Sequence, residues 1–165
     1  MINIIEKKSK SVAVWLVLSD GVNINKVAMQ RRTEKDGGEE QSFPHVFQPT
    51  WNGKMERGEN IEATIRREAV EELCPNFKIP ELTLFYKARY TFEGKLCTAY
   101  NYSGFVSGKE LLKAKIHSAA EPNFYFLGKE DLLKIKVSGE GNSDPKKDIV
   151  LFKDQYEAIK KLFLG

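Results

Sequence analysis

The stretch from Asn52 to Pro75 constrains this chain more than any other. It opens as a glycine-punctuated loop, Asn52-Gly53-Lys54-Met55-Glu56-Arg57-Gly58-Glu59, and passes into a helical pattern that ends at Leu73-Cys74-Pro75. Asn60 is a natural N-cap, its side chain free to accept an otherwise orphaned N–H of the first turn. Pro75 disfavours the α region for Cys74, so the helix stops at Leu73. Helical residues advance by about 100° each. That places Glu68, Glu71 and Glu72 on one narrow arc, because residues three and four apart are surface neighbours. Ile65, Ala69, Val70 and Leu73 fall on the other side and form the face expected to be buried.

Like charges at this spacing destabilise a helix by roughly 0.2–0.5 kcal/mol per pair. A divalent cation removes that cost, and hard cations such as Mg²⁺ take carboxylate oxygens together with waters and substrate phosphates. The glycines ahead of the helix allow backbone to come close to a ligand. Arg67 stands beside the arc, able to pair with Glu71 or to reach back to Glu59. An acid-rich run of this kind also describes a plain solvated face, so the three glutamates alone leave both readings open.

The whole arrangement resembles the Nudix box, the signature of the Nudix hydrolases. Gly53, Glu59, Arg67, Glu68, Glu71 and Glu72 all stand at the spacing of that signature, and Ala69 fills its first apolar position. The box runs here from Gly53 to Pro75 with two departures: Cys74 replaces the family's glycine and Pro75 its aliphatic residue. A helix often ends on a left-handed glycine. A cysteine followed by proline is not expected to take that conformation, which predicts a different helix exit and leaves the upstream acids untouched.

The resemblance implies an α+β fold, the Nudix α/β/α sandwich, with a mixed sheet between the signature helix and a C-terminal helix. It implies hydrolysis of the pyrophosphate bond in a nucleoside diphosphate linked to another group, with Mg²⁺ or Mn²⁺ as cofactor. Glu68, Glu71 and Glu72 would be metal ligands, with the Gly53 carbonyl as a backbone ligand. The catalytic set implied is Glu68, Glu121 and Arg67, with either glutamate handling the proton of the attacking water. The alternative is a module that keeps the fold and binds nucleotides without turnover. The isoprenoid-diphosphate isomerases of the same superfamily do not fit, since nothing here resembles their Cys and His metal site.

Length, at 165 residues, suits one domain over positions 1–165 with a substantial core. The net charge of +3, with lysines scattered along the chain, argues against a dedicated nucleic-acid groove and fits a small phosphorylated ligand. Two cysteines only, Cys74 and Cys97, fit a reducing cytoplasm and form no zinc-binding pair. Met1 to Ser11 has no apolar core of a signal peptide, and Val12 to Leu18 is too short to span a bilayer. No membrane partner is therefore expected. Oligomeric state stays open between monomer and homodimer.

Along the chain, Val12–Leu18 reads as a buried strand, Asp20-Gly21 as a turn, and Lys26–Arg32 as the returning strand. Arg31 and Arg32 at its end are candidates for a substrate phosphate, against the plainer reading of a solvated strand end. Thr33–Ser42 is a polar loop. Trp51 and Phe47 offer rings for base stacking or for packing under a loop. Trp51 and Glu59 join the two arginines as substrate-binding candidates. Glu81–Phe92 and Lys95–Val106 form a hairpin around Glu93-Gly94, with the small residues Cys97, Ala99, Asn101 and Ser103 on a face that lies against a helix. Lys109–Ile116 fits either a helical turn or a strand extension. Glu121 precedes an apolar run, Phe124–Leu127, and a short helical pattern, Lys129–Leu133. Ser138–Lys147 is a loop, and Asp148–Leu164 is a helix with Ile149, Phe152, Tyr156, Ile159 and Phe163 as its stripe.

Overall fold

The computed structural model describes residues 8–117 and 119–165. The N-terminal arm or edge strand expected over Met1–Ser11 therefore falls mostly outside the described residues. Its last part, Lys8–Ser11, begins the central strand β1, Lys8–Leu18. The apolar run within β1 is continuous because both of its faces are covered. Val14, Trp15 and Leu16 are wholly buried.

The chain turns at Asp20-Gly21 and returns as β2, Val27–Arg31, antiparallel to β1. The polar stretch after Arg32 carries a small hairpin, β3 (Lys35–Asp36) and β4 (Glu39–Glu40), turned by Gly37 and Gly38, both at positive φ. β5 (Phe47–Gln48) pairs with β2, and β6 (Trp51–Lys54) pairs antiparallel with β1, setting Gly53 opposite Val12. Then come helix α1, Ile61–Leu73, and the hairpin of β7 (Thr83–Phe92) and β8 (Lys95–Val106). β8 runs parallel to β1 along its whole length, so the sheet order is β5-β2-β1-β8-β7.

The stretch Lys109–Ile116 resolves as one helical turn, α2 (Gly108–Leu111), capped by Ser107, followed by extended chain. β9 (Tyr125–Leu127) joins β2 antiparallel, and a 3₁₀ helix over Lys129–Lys134 follows. β10 (Ile135–Val137) and β11 (Ile149–Leu151) pair in parallel, and α3 spans Lys153–Leu164.

Alternate residues of β1 serve opposite faces. Val12, Val14 and Leu16 meet Trp51, Ile65, Ala69 and Leu73 on the α1 side, whereas Ala13 and Trp15 meet Met29, Ala158 and Ile159 on the α3 side. The expected sandwich is thus observed, and the small residues Cys97, Ala99 and Asn101 are buried. Asn101 accepts the Trp15 indole N–H at 2.8 Å.

Two expectations are corrected. The C-terminal helix does not start at Asp148: Ile149–Leu151 is a strand, and extended backbone at Phe152 separates it from α3. A short apolar run whose partner is the distant strand Ile135–Val137 carries no local mark of that pairing. Val70 is about half exposed, because the sheet covers a narrower arc of α1 than its apolar residues occupy.

Candidate active site

The signature helix starts as its residues dictate. Asn60 Oδ1 accepts the Ala63 N–H at 2.8 Å, and Thr64 and Ile65 turn inward. Between Gly53 and the helix, the loop is folded around Glu59. Its carboxylate accepts the Glu56 N–H at 2.8 Å and the Thr64 hydroxyl at 3.1 Å, and takes the Arg67 guanidinium in a two-pronged pair at 2.8 and 3.0 Å. Arg67, first of these, holds the Glu59 carboxyl down to about 2.

Arg67 spends all its donors on protein groups. Besides Glu59 it gives hydrogen bonds to Glu68 at 2.8 Å, to Glu71 at 3.3 Å and to the Lys54 carbonyl at 2.8 Å. Its guanidinium is thereby raised further above its ordinary range, chiefly by Glu59. Two expected roles change accordingly. Glu59 is a clamp of the loop with its oxygens already engaged, and Arg67 acts through Glu59, Glu68 and Glu71 as a positioning residue.

The three glutamates of the arc sit in graded surroundings. Glu71 is the most exposed of them, with 57% of its side chain accessible. Glu68 is largely covered, and burial raises its pKa while Arg67 opposes the rise. Glu72 is the most enclosed. Its Oε2 accepts the Asn52 N–H at 3.0 Å, yet burial pushes it up to about 8, with the charges of Glu68 and Glu71 adding to the rise and Arg32 working against it.

Gly53 lies directly against this group, since a Cβ there would collide with the Glu68 carboxyl. Among the described residues, no three acidic, His or Cys side chains converge as a preformed metal cage. Glu68 and Glu71 are drawn onto Arg67, and Glu72 onto Asn52. The donor set still fits a hard divalent cation. It consists of carboxylates that feel one another's charge, beside a glycine whose missing side chain leaves room for the Glu68 carboxyl.

At the helix exit Cys74 takes φ 108° and ψ 155°. As expected, the exit is not the left-handed turn of a glycine cap: φ is positive, but ψ is the extended value that the following proline requires. The chain after α2 completes the exit: Lys115 and His117 donate backbone N–H groups to the carbonyls of Leu73 and Glu72, both at 2.7 Å. These bonds satisfy carbonyls that a glycine cap would otherwise serve.

The remaining predicted site residues disperse. Trp51 is fully buried, its indole donating to the Ile65 carbonyl at 3.1 Å with Phe77 edge-on at 6.0 Å, so no base can stack on it. Phe47 is buried edge-on to Tyr125. Arg31 is fastened by the carbonyls of His45 (3.1 Å) and Pro145 (2.7 Å) and lies over the rings of Phe47 and Tyr125, which makes it a clasp for the loop after β10. Arg32 donates to the Ser42 carbonyl and its charge reaches Glu72. Glu121 shares a cleft of about 380 Å³ with both arginines. It accepts the Tyr125 hydroxyl at 3.1 Å and stands 3.7 Å from Arg31.

A second cavity, of about 360 Å³, opens beside Asn52 and Gly53 on the α3 side and reaches Phe92, Phe152, Asp154 and Gln155. Sequence reasoning missed these residues. Asp154 and Gln155 looked like ordinary polar positions of a helix, and only the packing of α3 on the sheet brings them to the glycine loop.

Among known proteins, the NUDIX domain family matches residues 7–121. No curated protein sequence matches the chain. The fold is similar to that of a MutT protein from Methanosarcina mazei (16% identity, 81% of this chain and 86% of that one, TM-score 0.57). It is also similar to a MutT NUDIX hydrolase from Burkholderia pseudomallei (14%, 95% and 99%, TM-score 0.59). A third likeness is to the NUDIX domain of Shewanella oneidensis NrtR, solved with ADP ribose (11%, 96% and 88%, TM-score 0.60). With the glycine loop, the acidic arc and the sandwich in place over that matched span, this chain belongs to the NUDIX domain family.

Proposed function

We propose that the chain, as one catalytic domain, hydrolyses the pyrophosphate bond of a nucleoside diphosphate joined to another group, and that it uses Mg²⁺ or Mn²⁺ to do so. As a member of its family with every acidic position of the signature filled, it is a Nudix pyrophosphohydrolase. The observation that carries the metal-dependent reading is Glu72: a carboxyl enclosed beside Glu68, Glu71 and the Gly53 backbone, which only a cation or a proton relieves.

Glu68, Glu71, Glu72 and the Gly53 carbonyl would hold the ion. When bound, the ion supplies neutralisation of the diphosphate oxygens and acidification of the attacking water. Arg67, braced on Glu59, fixes where Glu68 and Glu71 stand. Glu68 would take the proton of the water, with Glu121 as the alternative. Arg32, whose charge reaches Glu72, would meet the phosphates. The ADP ribose held by the Shewanella relative supports a nucleoside diphosphate derivative as the substrate class.

The alternative, a nucleotide-binding module without turnover, draws on the same geometry, since Glu68 and Glu71 are tied to Arg67. One experiment separates them. The protein is incubated with ADP-ribose, dinucleoside polyphosphates, NADH, nucleotide sugars, oxidised nucleoside triphosphates and capped RNA, with Mg²⁺, with Mn²⁺ and with chelator. Metal-dependent release of two identified phosphate-bearing products supports the hydrolase. Tight calorimetric binding without any product supports the module and overturns the enzymatic reading.

A further inference from the structure

We infer that the cavity between Gly53 and the first turn of α3 is a nucleobase-recognition pocket, in which Gln155 selects purines that carry an amino group. The inference rests on the reading of the glycine loop as the diphosphate site, because it uses that loop as its border.

Three features of the cavity point to a flat, hydrogen-bonding ligand. Its position comes first. Asn52, Gly53 and Lys54 line it, so a ligand whose diphosphate lies at the acidic arc has its other end within reach. Its walls come second. Phe152 packs edge-on against Phe43, with ring centroids 5.0 Å apart at 85°, and Phe92 presents a half-exposed ring from β7. Aromatic rings on the walls of a cavity of this size suit a base, which stacks by its π-face.

The floor is the third feature and gives the selectivity. Gln155 is 7% exposed, and its Oε1 is enclosed without a hydrogen-bond partner among the described residues. An enclosed acceptor left unpaired is costly, and such atoms are uncommon in folded proteins. A ligand N–H directed at Oε1 removes that cost. Asp154 stands next to it and lines the same cavity. Gln155 Oε1 and the Asp154 carboxylate match the N1–H and the 2-amino group that guanine carries side by side, whereas adenine offers its 6-amino group to one of them alone. A site built to receive an N–H discriminates strongly against an analogue that lacks it.

The test uses the full chain with Mg²⁺ and three nucleoside monophosphates, AMP, GMP and IMP, which contain no pyrophosphate bond. IMP is GMP without its 2-amino group, and it carries a 6-oxo group where AMP has its amine. Calorimetry is expected to show at least one amino purine binding about tenfold more tightly than IMP. Gln155→Leu should bring the nucleotides to within about threefold of one another. Phe92→Ala should weaken all of them together and keep the preference. Equal affinities in the wild type overturn the inference, whether or not the leucine variant folds, and so does a preference that survives in that variant. The two readings fail separately. A protein that prefers amino purines but cleaves nothing sinks the hydrolase and leaves the pocket, and one that cleaves diphosphates regardless of base does the reverse.

Discussion

Two carboxylates of one signature, Glu59 and Glu72, are driven in opposite directions. Glu59, on the loop, meets a guanidinium, a backbone N–H and a hydroxyl, and is held down to about 2. Glu72, on the inner edge of α1, has one backbone N–H and two other acids for company and is pushed up to about 8. The first is a finished structural joint. The second is an unfinished one, stable as a neutral acid and costly as an anion until a positive charge arrives. Carboxyl chemistry is the same in both, so what separates a brace from a ligand is the supply of donors.

The largest expected effect falls on the unfinished side. Glu72→Gln keeps the shape and the acceptor for Asn52 but loses the charge, and should lower metal-dependent turnover at least about a hundredfold, the scale on which removing one preorganised charge-stabilising group acts in other enzymes. Steady-state rates with thermal melts to confirm folding decide the matter, and full activity in that variant would place the chemistry elsewhere.

Next is the brace. Arg67→Lys offers a compact charge in place of a planar fork that serves four oxygen-bearing partners. Turnover should fall about tenfold, with lower thermal stability, and Arg67→Lys should melt above Arg67→Ala. If Arg67→Lys behaves as wild type, the fork is not what positions Glu68 and Glu71.

The third prediction concerns pH in the metal-free protein. The folded pKa of Glu72 is raised above its unfolded value, so the folded state holds a proton that the unfolded state releases. That stabilisation is present below about pH 4 and is lost as pH rises through about 8. Unfolding free energy should therefore fall with pH across that window, by at most about 1.4 kcal/mol per pH unit. Glu59 contributes with the opposite sign and only in acid, since its stabilisation is lost as pH drops toward about 2. Denaturant titrations of wild type and Glu72→Gln settle this: the slope should be clearly smaller in the variant, with burial of Glu68 and Asp154 leaving a remainder of the same sign, and an unchanged slope would assign it to another group.

The smallest effect is expected at the helix exit. Cys74→Gly restores the signature residue at a position with φ 108°. Relief of strain there, about 1–3 kcal/mol, is offset by the lost thiol packing and by the entropy of glycine. Stability should move by less than about 1 kcal/mol, and kcat should stay within about twofold. A larger loss of rate would mean that the exit helps to place Glu72.

How far this site was legible follows from how local each signal is. The acidic arc was readable because helical periodicity fixes which side chains share an edge. The central strand was readable because a run from Val12 to Leu18 without a polar residue fits only an element covered on both faces. Trp51 was not, because an aromatic ring suits both a base and a core, and its neighbours Ile65 and Phe77 come from other elements. The anchoring of Arg31 was hidden for a similar reason. Its position at the end of β2 suggested a phosphate, but carbonyls from Pro145 and His45, remote in sequence, claim it. Ile149–Leu151 passed for the start of a helix because its strand partner is separated from it by the loop after β10.

The sequence by itself determined the family signature: an N-capped helix with three acids on one edge, an arginine beside them and a glycine ahead of them, all set by spacings that the 3.6-residue period turns into geometry. Only the tertiary structure decided which of those acids is most enclosed, that Arg67 and Glu59 lock to each other, and that Gln155 and Asp154 border the same loop from the far end of the chain. Burial and partner supply depend on contacts between segments far apart in sequence, and no local pattern encodes those.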